Sequence, residues 1–275
     1  MNPLIVIPAR YASTRYPGKP LVVLRGPDGD KTLVQRSWEA ARAVAGVERV
    51  VVATDDDRIA THARGFGAEV VMTSSACRNG TERCAEVARA LPGHGLIVNL
   101  QGDTPLTPPW FVEALISAMA ANPGIPVATP VLRCDGQALA ALRAYRAAGT
   151  VGGTTAVLGP GGQALYFSKE VVPYTSAAFA PQELTPVFHH VGVYAYRPEA
   201  LARYVAWPPG MTEVHEGLEQ LRFLDHGCPV HCVEVEARGR QFWELNNPAD
   251  VGIIERILAT PLPPQVETTR PGIAL

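Results

Sequence analysis

Charged residues, aromatic residues and long apolar runs are all scarce in this chain of 275 residues. Charged side chains make up 18% of it and the formal net charge is −2, so no strong positive field is available to attract nucleic acid or an anionic membrane surface. No apolar run approaches the roughly 20 residues that a membrane-spanning helix needs. Nor does a charged leader with an apolar core, the pattern of a signal peptide, precede the first strand-like run. We therefore expect a cytoplasmic protein that neither binds nucleic acid nor inserts into a membrane.

Cysteines are few and scattered, with five in the chain and no C-x-x-C pair. An odd, dispersed set of this kind indicates reduced thiols rather than a disulfide framework, which also suits a reducing compartment. A zinc site formed by Cys228 and Cys232 with His226 and His231 is disfavoured, because these residues flank an apolar strand pattern and no second ligand pair occurs elsewhere.

Two common nucleotide-binding motifs are missing. No G-x-x-x-x-G-K-[ST] occurs, since Gly18-Lys19 is followed by Pro20, and no G-x-G-x-x-G follows the first predicted strand. The chain is therefore predicted to be neither a P-loop protein nor an NAD-dependent oxidoreductase.

Apolar strand patterns alternate with helical patterns along the first third of the chain. Buried strands are predicted at 4–7, 48–55 and 68–73, with helices at 32–45 and 56–67 between them. Intervals of about 30 residues or a little less are typical of parallel βαβ units, so we predict an α/β fold. The acidic triplet 55–57 permits a metal site, but Asp56 or Asp57 as the cap of the following helix is the favoured interpretation.

A cationic loop follows the first strand. The run Leu4-Ile5-Val6-Ile7 predicts a buried strand, and the residues after it include Ser13, Thr14, Gly18 and the cations Arg10, Arg15 and Lys19. In open α/β sheets ligands bind beyond the carboxyl ends of the strands, and guanidinium and ammonium groups there suit a polyphosphate. A solvated basic turn is the alternative.

A second polar segment follows another strand pattern. Leu96-Ile97-Val98-Asn99-Leu100 predicts a strand that delivers Gln101 and Asp103 to the same edge of the sheet. A hard cation shared between one carboxylate and substrate phosphates would suit this position, although a lone strand-end Asp is often only a turn former.

Together these segments resemble the 3-deoxy-manno-octulosonate (Kdo) cytidylyltransferases, a family of sugar nucleotidyltransferases. The stretch IPARYASTRYPGKPL is similar to the family pattern IPARxxSxRxPGKPL, and QGDTP to its Q-G-D-x-P. Further similar segments occur in the family's order over residues 4–257: RNGTER, ALYFSK, HHVGVYAYR, LEQLR and WELNNPAD. A match of this length is far more specific than a lone glycine motif.

The resemblance implies a fold, a reaction and an assembly. The fold is a three-layer, Rossmann-like nucleotidyltransferase sheet with helices on both faces, forming one domain over 1–260. A smaller sugar-binding and dimerisation insertion is expected at about 135–215, and a tail at 261–275. The implied reaction is CTP + Kdo → CMP-Kdo + pyrophosphate, for lipopolysaccharide biosynthesis, with Mg²⁺ as cofactor and a homodimer as the assembly.

The resemblance also implies roles for individual residues. The catalytic group is Arg10, Lys19 and Asp103. The nucleotide-binding group is Pro8, Ala9, Arg10, Ser13, Arg15, Lys19, Asn79, Gly80, Thr81, Arg83 and Gln101. The sugar-binding group is Gln101, Lys169, His189, His190, Tyr194, Glu219 and Gln220. The Mg²⁺ ligands are Asp103 and Asn246.

Departures from the family pattern leave alternatives open. Asn246 stands where the family has its second metal-binding Asp, Lys169 where it has Arg, and Ser74 where many relatives have Arg. A neutral amide should bind a cation more weakly than a carboxylate, and Lys does not grip a carboxylate bidentately as Arg does. One alternative is a modified acceptor, such as 8-amino-Kdo, another sugar acid or a phosphonate. Others are a metal held more by the triphosphate than by the protein, and a catalytically impaired nucleotide-binding protein.

Overall fold

A computed structural model describes residues 2–12, 16–151, 153–241 and 243–260. Ser13, Thr14 and Arg15 of the cationic loop and the expected tail at 261–275 lie outside the described residues.

Strands and helices alternate along the described part of the chain. The strands are β1 Pro3–Ala9, β2 Val23–Leu24, β3 Lys31–Thr32, β4 Arg49–Thr54, β5 Glu69–Met72, β6 Leu96–Leu100, β7 Val127–Asp135, β8 Thr154–Leu158, β9 Ala164–Ser168, β10 Leu184–His190, β11 Val193–Tyr196 and β12 Val230–Glu234. The α-helices are α1 Leu33–Arg42, α2 Asp57–Gly65, α3 Gly80–Ala90, α4 Pro109–Ala121, α5 Gly136–Ala147, α6 Pro198–Ala206, α7 Met211–Glu216, α8 Leu221–Asp225 and α9 Asp250–Ala259.

One large mixed sheet organises these elements. Its strands run in the order β5-β4-β1-β6-β11-β7-β10-β8-β9, and β12 pairs with β7 outside this path. The pairs β5–β4, β4–β1 and β1–β6 are parallel, whereas β11 is antiparallel to β6 and β7. Because β1 lies between β4 and β6, the loop after β1 leaves from the middle of the carboxyl edge of the parallel strands.

Alternation along β1 fills a core on each face of the sheet. Ile5 and Ile7 pack in one buried cluster with residues of α1, α2 and α4, while Leu4 and Val6 pack in another with residues of α3 and α6. All four are fully buried. Complete burial of such a side chain contributes about 1.5–3 kcal/mol. The predicted α/β fold with helices on both faces of the sheet is confirmed.

Side-chain caps explain where two helices begin. Oγ1 of Thr32 accepts a hydrogen bond from the amide of Gln35 at 3.4 Å, and Oδ1 of Asp56 accepts one from the amide of Arg58 at 2.9 Å. Each cap satisfies a backbone donor that the first helical turn leaves without a partner. The prediction that Asp56 or Asp57 caps a helix is confirmed, at Asp56.

Three later segments have a local structure that bears on the site. Helix α5 occupies an Ala-rich stretch and buries Leu139 and Leu142. The HHVGVYAYR segment contains parts of two strands, β10 and β11, interrupted at Val191 and Gly192. In LEQLR the helix α8 begins only at Leu221, because 218–220 form a turn with i to i+3 hydrogen bonds.

All five cysteines are free and four of them are buried, in agreement with the prediction of reduced thiols. Among the described helices, none combines the length and the apolar character required to cross a membrane.

Candidate active site

The ends of β1 and β6 meet at a very close backbone approach. A Cβ placed on Gly102 would lie 2.7 Å from the carbonyl oxygen of Pro8, closer than side-chain carbons approach such an atom. Glycine at 102 therefore lets the Gln101–Asp103 loop lie directly against the Pro8–Arg10 segment. Two segments that the sequence predicts at one sheet edge are thus in contact.

The described part of the cationic loop closes on itself and then reaches the β6 loop. The amide of Gly18 donates to the carbonyl of Tyr11 at 2.9 Å, with Gly18 at a φ of 71°, a left-handed conformation that favours glycine. Lys19 begins a short 3₁₀ helix at this point, and its Nζ lies 2.7 Å from Oδ2 of Asp103. Arg10 is exposed and its Nη1 donates to the carbonyl of Arg78 at 3.4 Å. Ser13 and Arg15 lie outside the described residues.

Buried side-chain atoms without a hydrogen-bond partner concentrate at this edge. Among the described residues, these atoms are Oδ1 of Asp103, both amide atoms of Asn99 and Nε2 of Gln220. Leaving such an atom unsatisfied costs about 1–3 kcal/mol. Their grouping indicates a region built to hold polar ligand atoms or a cation. Asn99 is a site residue that the sequence analysis did not name, although a polar residue inside an apolar strand is a visible signal.

The 78–83 segment approaches the same place through Gly80. A Cβ on Gly80 would lie 3.1 Å from Nδ2 of Asn99 and 3.5 Å from Cγ of Pro8. Its neighbours hold the segment: Oδ1 of Asn79 accepts from the amide of Glu82 at 2.9 Å, and the amide of Thr81 donates to Oε2 of Glu219 at 3.0 Å. The side chains of Asn79 and Thr81 further bond to the hydroxyls of Tyr204 and Tyr196, so both have structural partners.

Arg83 has internal partners as well. Its guanidinium is buried, pairs with Oδ1 of Asp55 at 3.5 Å and donates to Oγ1 of Thr73. Asp55 directly follows β4 and Thr73 directly follows β5, so Arg83 joins α3 to the ends of these two strands. The nucleotide-binding role given to Arg83 stays a prediction.

Four of the residues assigned to the sugar form a connected group. Nε2 of Gln101 donates to Oε1 of Glu219 at 3.2 Å, and the hydroxyl of Tyr194 donates to Oε1 of Gln220 at 3.1 Å. Desolvation raises the pKa of Glu219, and hydrogen bonds from Thr81 lower it by less. The nearby charges of Glu213 and Asp103 raise this pKa further. The group combines a carboxyl, two amides and a phenol, which can bind the hydroxyls of a polar acceptor.

His190 joins this group while His189 does not. The ring of His190 lies 5.5 Å from that of Tyr194, and its Nε2 hydrogen bonds with Oγ1 of Thr129 at 2.9 Å. Burial lowers the pKa of His190 to about 3, so the ring is neutral. Adjacent residues of a strand point to opposite faces of the sheet, so His189 points away from this group. Its ring lies beside Gly153, and its Nε2 is 2.7 Å from the position of a Cβ on that glycine.

Lys169 reaches the segment that precedes Glu219. Its backbone amide donates to Oε2 of Glu216 at 2.9 Å, and its Nζ lies 3.0 Å from the position of a Cβ on Gly217. The ammonium group is therefore at the start of the turn that carries Glu219 and Gln220.

The segment that contains Asn246 is hydrogen bonded to Asp103. The amide of Leu245 donates to the carbonyl of Asp103 at 3.0 Å, which places residues 244–246 along the β6 loop. Nδ2 of Asn246 donates to Oε2 of Glu244 at 3.3 Å, so these two side chains lie together. Glu244 is a second residue that the sequence analysis did not name, and its signal is only that it lies two positions before Asn246.

Known proteins are similar to this chain over most of its length. A family model described as cytidylyltransferase matches residues 4–234. The chain is 42% identical over 260 residues to a 3-deoxy-manno-octulosonate cytidylyltransferase of Maricaulis maris, covering 94% of this chain and 98% of the relative. It is 38% identical to the protein of that name from Chlamydia pneumoniae, with 92% of each chain covered.

A solved structure is similar in fold and sequence. It is described as CMP:2-keto-3-deoxy-manno-octonic acid synthetase complexed with CTP, and it superposes with a TM-score of 0.79 at 34% identity, covering 94% of this chain and 98% of the other. The family model, over residues 4–234, includes both segments that meet at the sheet edge. The chain belongs to the 3-deoxy-manno-octulosonate cytidylyltransferase family.

Proposed function

We propose that the protein transfers CMP from CTP to Kdo and releases pyrophosphate, supplying an activated sugar for lipopolysaccharide synthesis. The observation that carries this proposal is the meeting of the cationic loop with the β6 loop, where Lys19 lies 2.7 Å from Asp103. Membership of the family makes a cytidylyl transfer the reaction that this edge of the sheet serves.

The cations of the first loop are proposed to bind the triphosphate and the leaving pyrophosphate. Lys19 and Arg10 lie at the ends of a closed loop beside the β6 carboxyl edge, where a triphosphate binds in open α/β sheets. As pyrophosphate leaves, negative charge grows on its oxygens. An ammonium and a guanidinium already in place stabilise that charge without reorganisation.

Magnesium is proposed as the cofactor, with Asp103 and Asn246 as its protein ligands. The donor set fits: Oδ1 of Asp103 is buried without a hydrogen-bond partner, and both side chains offer the oxygen atoms that Mg²⁺ prefers. When bound, the cation would lower the charge on the phosphate oxygens and the pKa of the attacking 2-hydroxyl group.

The acceptor is proposed to bind between Tyr194, Gln220 and Glu219, with Lys169 near the sugar carboxylate. Nε2 of Gln220 is buried without a partner, so it is a donor for a sugar oxygen. Holding the 2-hydroxyl in line with the α-phosphorus is the main contribution that these residues make, since orientation replaces a bimolecular encounter.

A homodimer and a cytoplasmic location complete the proposal. Several large apolar side chains within 135–215 are exposed, with exposed fractions of 88% for Tyr174, 73% for Met211 and 59% for Leu165. A second subunit covering part of this surface would remove apolar area from water. Light scattering of the purified protein should then give about twice the mass of one chain. The free cysteines favour a reducing compartment.

The test is pyrophosphate release from CTP with four acceptors offered separately: Kdo, 8-amino-Kdo, N-acetylneuraminate and a small phosphonate. Each is measured with Mg²⁺ and with a chelator. We expect release with Kdo that stops when the cation is removed. Release only with another acceptor would contradict the proposed substrate, and release with none would contradict the proposed enzyme activity.

A further inference from the structure

We propose that Glu244 supplies a second carboxylate for the divalent cation at Asp103. Asn246, the other proposed ligand, provides only a neutral oxygen. This inference rests on the proposed function, in which a cation binds at Asp103. It concerns a residue to which the family resemblance assigns no role in metal binding.

The backbone around Leu245 aims Glu244 at the site. Leu245 is fully buried in an apolar cluster with Leu24, Leu33 and Ile254, and its amide bonds to the carbonyl of Asp103. Its two neighbours are only partly buried, and their side chains bond to each other at 3.3 Å. Burial of Leu245 thus fixes one side of the segment, and Glu244 and Asn246 share the other side along the β6 loop.

The carboxylate of Glu244 and the side chain of Gln101, two positions before Asp103, both approach Gly192. Oε1 of Glu244 lies 3.5 Å from the position of a Cβ on Gly192, and Cδ and Nε2 of Gln101 lie 3.7 and 3.8 Å from the same point. The charge of Glu244 also acts on Tyr194, whose pKa is raised chiefly by burial and further by Glu219 and Glu244. Glu244 therefore lies among the groups that border the nucleotide and the acceptor.

The charges around Asp103 favour a second carboxylate near a bound cation. Oδ2 of Asp103 is paired with Lys19, while Oδ1 is buried without a partner. Gln101 donates a hydrogen bond to Glu219, and the side chains of Gln101 and Glu244 both approach Gly192. Mg²⁺ is held in many enzymes by one or two carboxylates together with substrate phosphates and water. Asp103 and Glu244 would make such a pair, with the oxygen of Asn246 beside them.

The experiment measures cation affinity directly and needs no turnover. Mn²⁺ is titrated into the purified protein with no acceptor and with CTP kept below the protein concentration. The free ion is followed by electron paramagnetic resonance and compared with a titration of the same CTP alone. The variants are Glu244→Gln, which keeps the shape and removes the charge, and Glu244→Gln combined with Asn246→Asp. Glu199→Gln, on the exposed surface at the start of α6, is the matched control.

We expect Glu244→Gln to weaken Mn²⁺ binding by about tenfold or more, in the range seen when groups that support a metal site are removed. The double variant should restore the affinity, because it moves the charge to the neighbouring position, whereas Glu199→Gln should not alter it. A purely structural role of Glu244 does not predict this rescue. Thermal unfolding of each variant separates loss of fold from loss of binding.

Two results would overturn the inference, and they are distinguishable. Unchanged Mn²⁺ affinity in Glu244→Gln, while the wild type binds Mn²⁺, refutes the role of Glu244 alone. Mn²⁺ binding by the wild type with CTP that does not exceed binding by CTP alone refutes the proposed cation site itself.

Discussion

Nζ of Lys19 and Oδ2 of Asp103 are 2.7 Å apart, so an ion pair joins the loop after β1 to the loop after β6. Both side chains are largely buried, with exposed fractions of 14% and 21%. In the proposed reaction each has a different partner: Lys19 binds phosphate oxygens and Asp103 binds a cation. Binding of CTP with its cation therefore exchanges one ion pair for two charge-assisted contacts.

Replacing Lys19 by Met should lower kcat by roughly 10²–10³-fold, because the leaving pyrophosphate loses a preorganised positive charge that stabilises it. The same change removes the ammonium that competes for Asp103. Steady-state pyrophosphate release measures the effect. Lys31→Met is the control, since Lys31 pairs with Asp28 and Glu39 away from the site. Equal rates for Lys19→Met and the wild type would refute the assigned role.

Gly102→Ala should lower the free energy of unfolding by about 1–3 kcal/mol, the range for forcing an extra methyl into a packed place. The new Cβ would meet the carbonyl of Pro8 at 2.7 Å, and backbone atoms cannot turn aside as a side chain can. Urea unfolding measures the change. Gly65→Ala near the end of α2 is the control, because nothing lies within 4 Å of its Cβ position. A stability of Gly102→Ala equal to the wild type would show that the two loops can separate freely.

Stability should fall as pH drops from about 6.5 towards 4, in part because of His190. Burial lowers the pKa of this residue to about 3 in the folded protein, so below pH 6.5 the unfolded chain binds a proton that the folded chain does not. Its contribution is present above the unfolded pKa, and each pH unit below it removes up to about 1.4 kcal/mol. Urea unfolding at a series of pH values should give a shallower slope for His190→Gln than for the wild type. The exposed His215→Gln should keep the wild-type slope; identical slopes for all three proteins would contradict the account.

Arg222→Met should be strongly destabilising, by about 3–5 kcal/mol, the cost of removing one partner from a buried ion pair. Arg222 is 1% exposed and lies 2.7 Å from Glu213 and 3.1 Å from Glu82, so the change leaves Glu213 without its cation and Glu82 paired with Arg78 alone. Because Glu82 is on α3 and Arg222 on α8, the ion pairs hold the Gly80 segment near the Glu219 turn. Arg49→Met, which breaks an exposed pair with Glu69, should cost about 1 kcal/mol or less. Denaturant unfolding measures the free energy of unfolding of both variants. Equal losses of stability in Arg222→Met and Arg49→Met would contradict the assigned difference in burial.

The sequence is informative where a feature is local. The four-residue apolar run before Pro8 and the LIVNL run both became strands of the parallel sheet, and the caps Thr32 and Asp56 stand where their side-chain chemistry predicts. The close approach of Pro8 and Gly102 follows from that topology, because neighbouring parallel strands end at one edge.

Features that depend on packing between distant segments were not predictable from pattern. Asn99 stands out in the sequence as a polar residue inside an apolar strand, but only the surrounding Gly80 and Glu219 make its amide part of the site. The pairing of Arg83 with Asp55 joins two positions that the sequence treats separately. Glu244 escaped notice because its place depends on the hydrogen bond between Leu245 and Asp103.

The measurement that tests the central claim most directly is the product formed from CTP and Kdo by the wild type and by Asp103→Asn. Mass spectrometry follows CMP-Kdo, and pyrophosphate is counted in the same samples, with Mg²⁺ present. We expect one CMP-Kdo per pyrophosphate from the wild type. A folded Asp103→Asn should be slower by roughly 10²-fold or more, because charge stabilisation at the reacting phosphate is lost. Wild-type turnover by Asp103→Asn, or no CMP-Kdo from the wild type, would contradict the account.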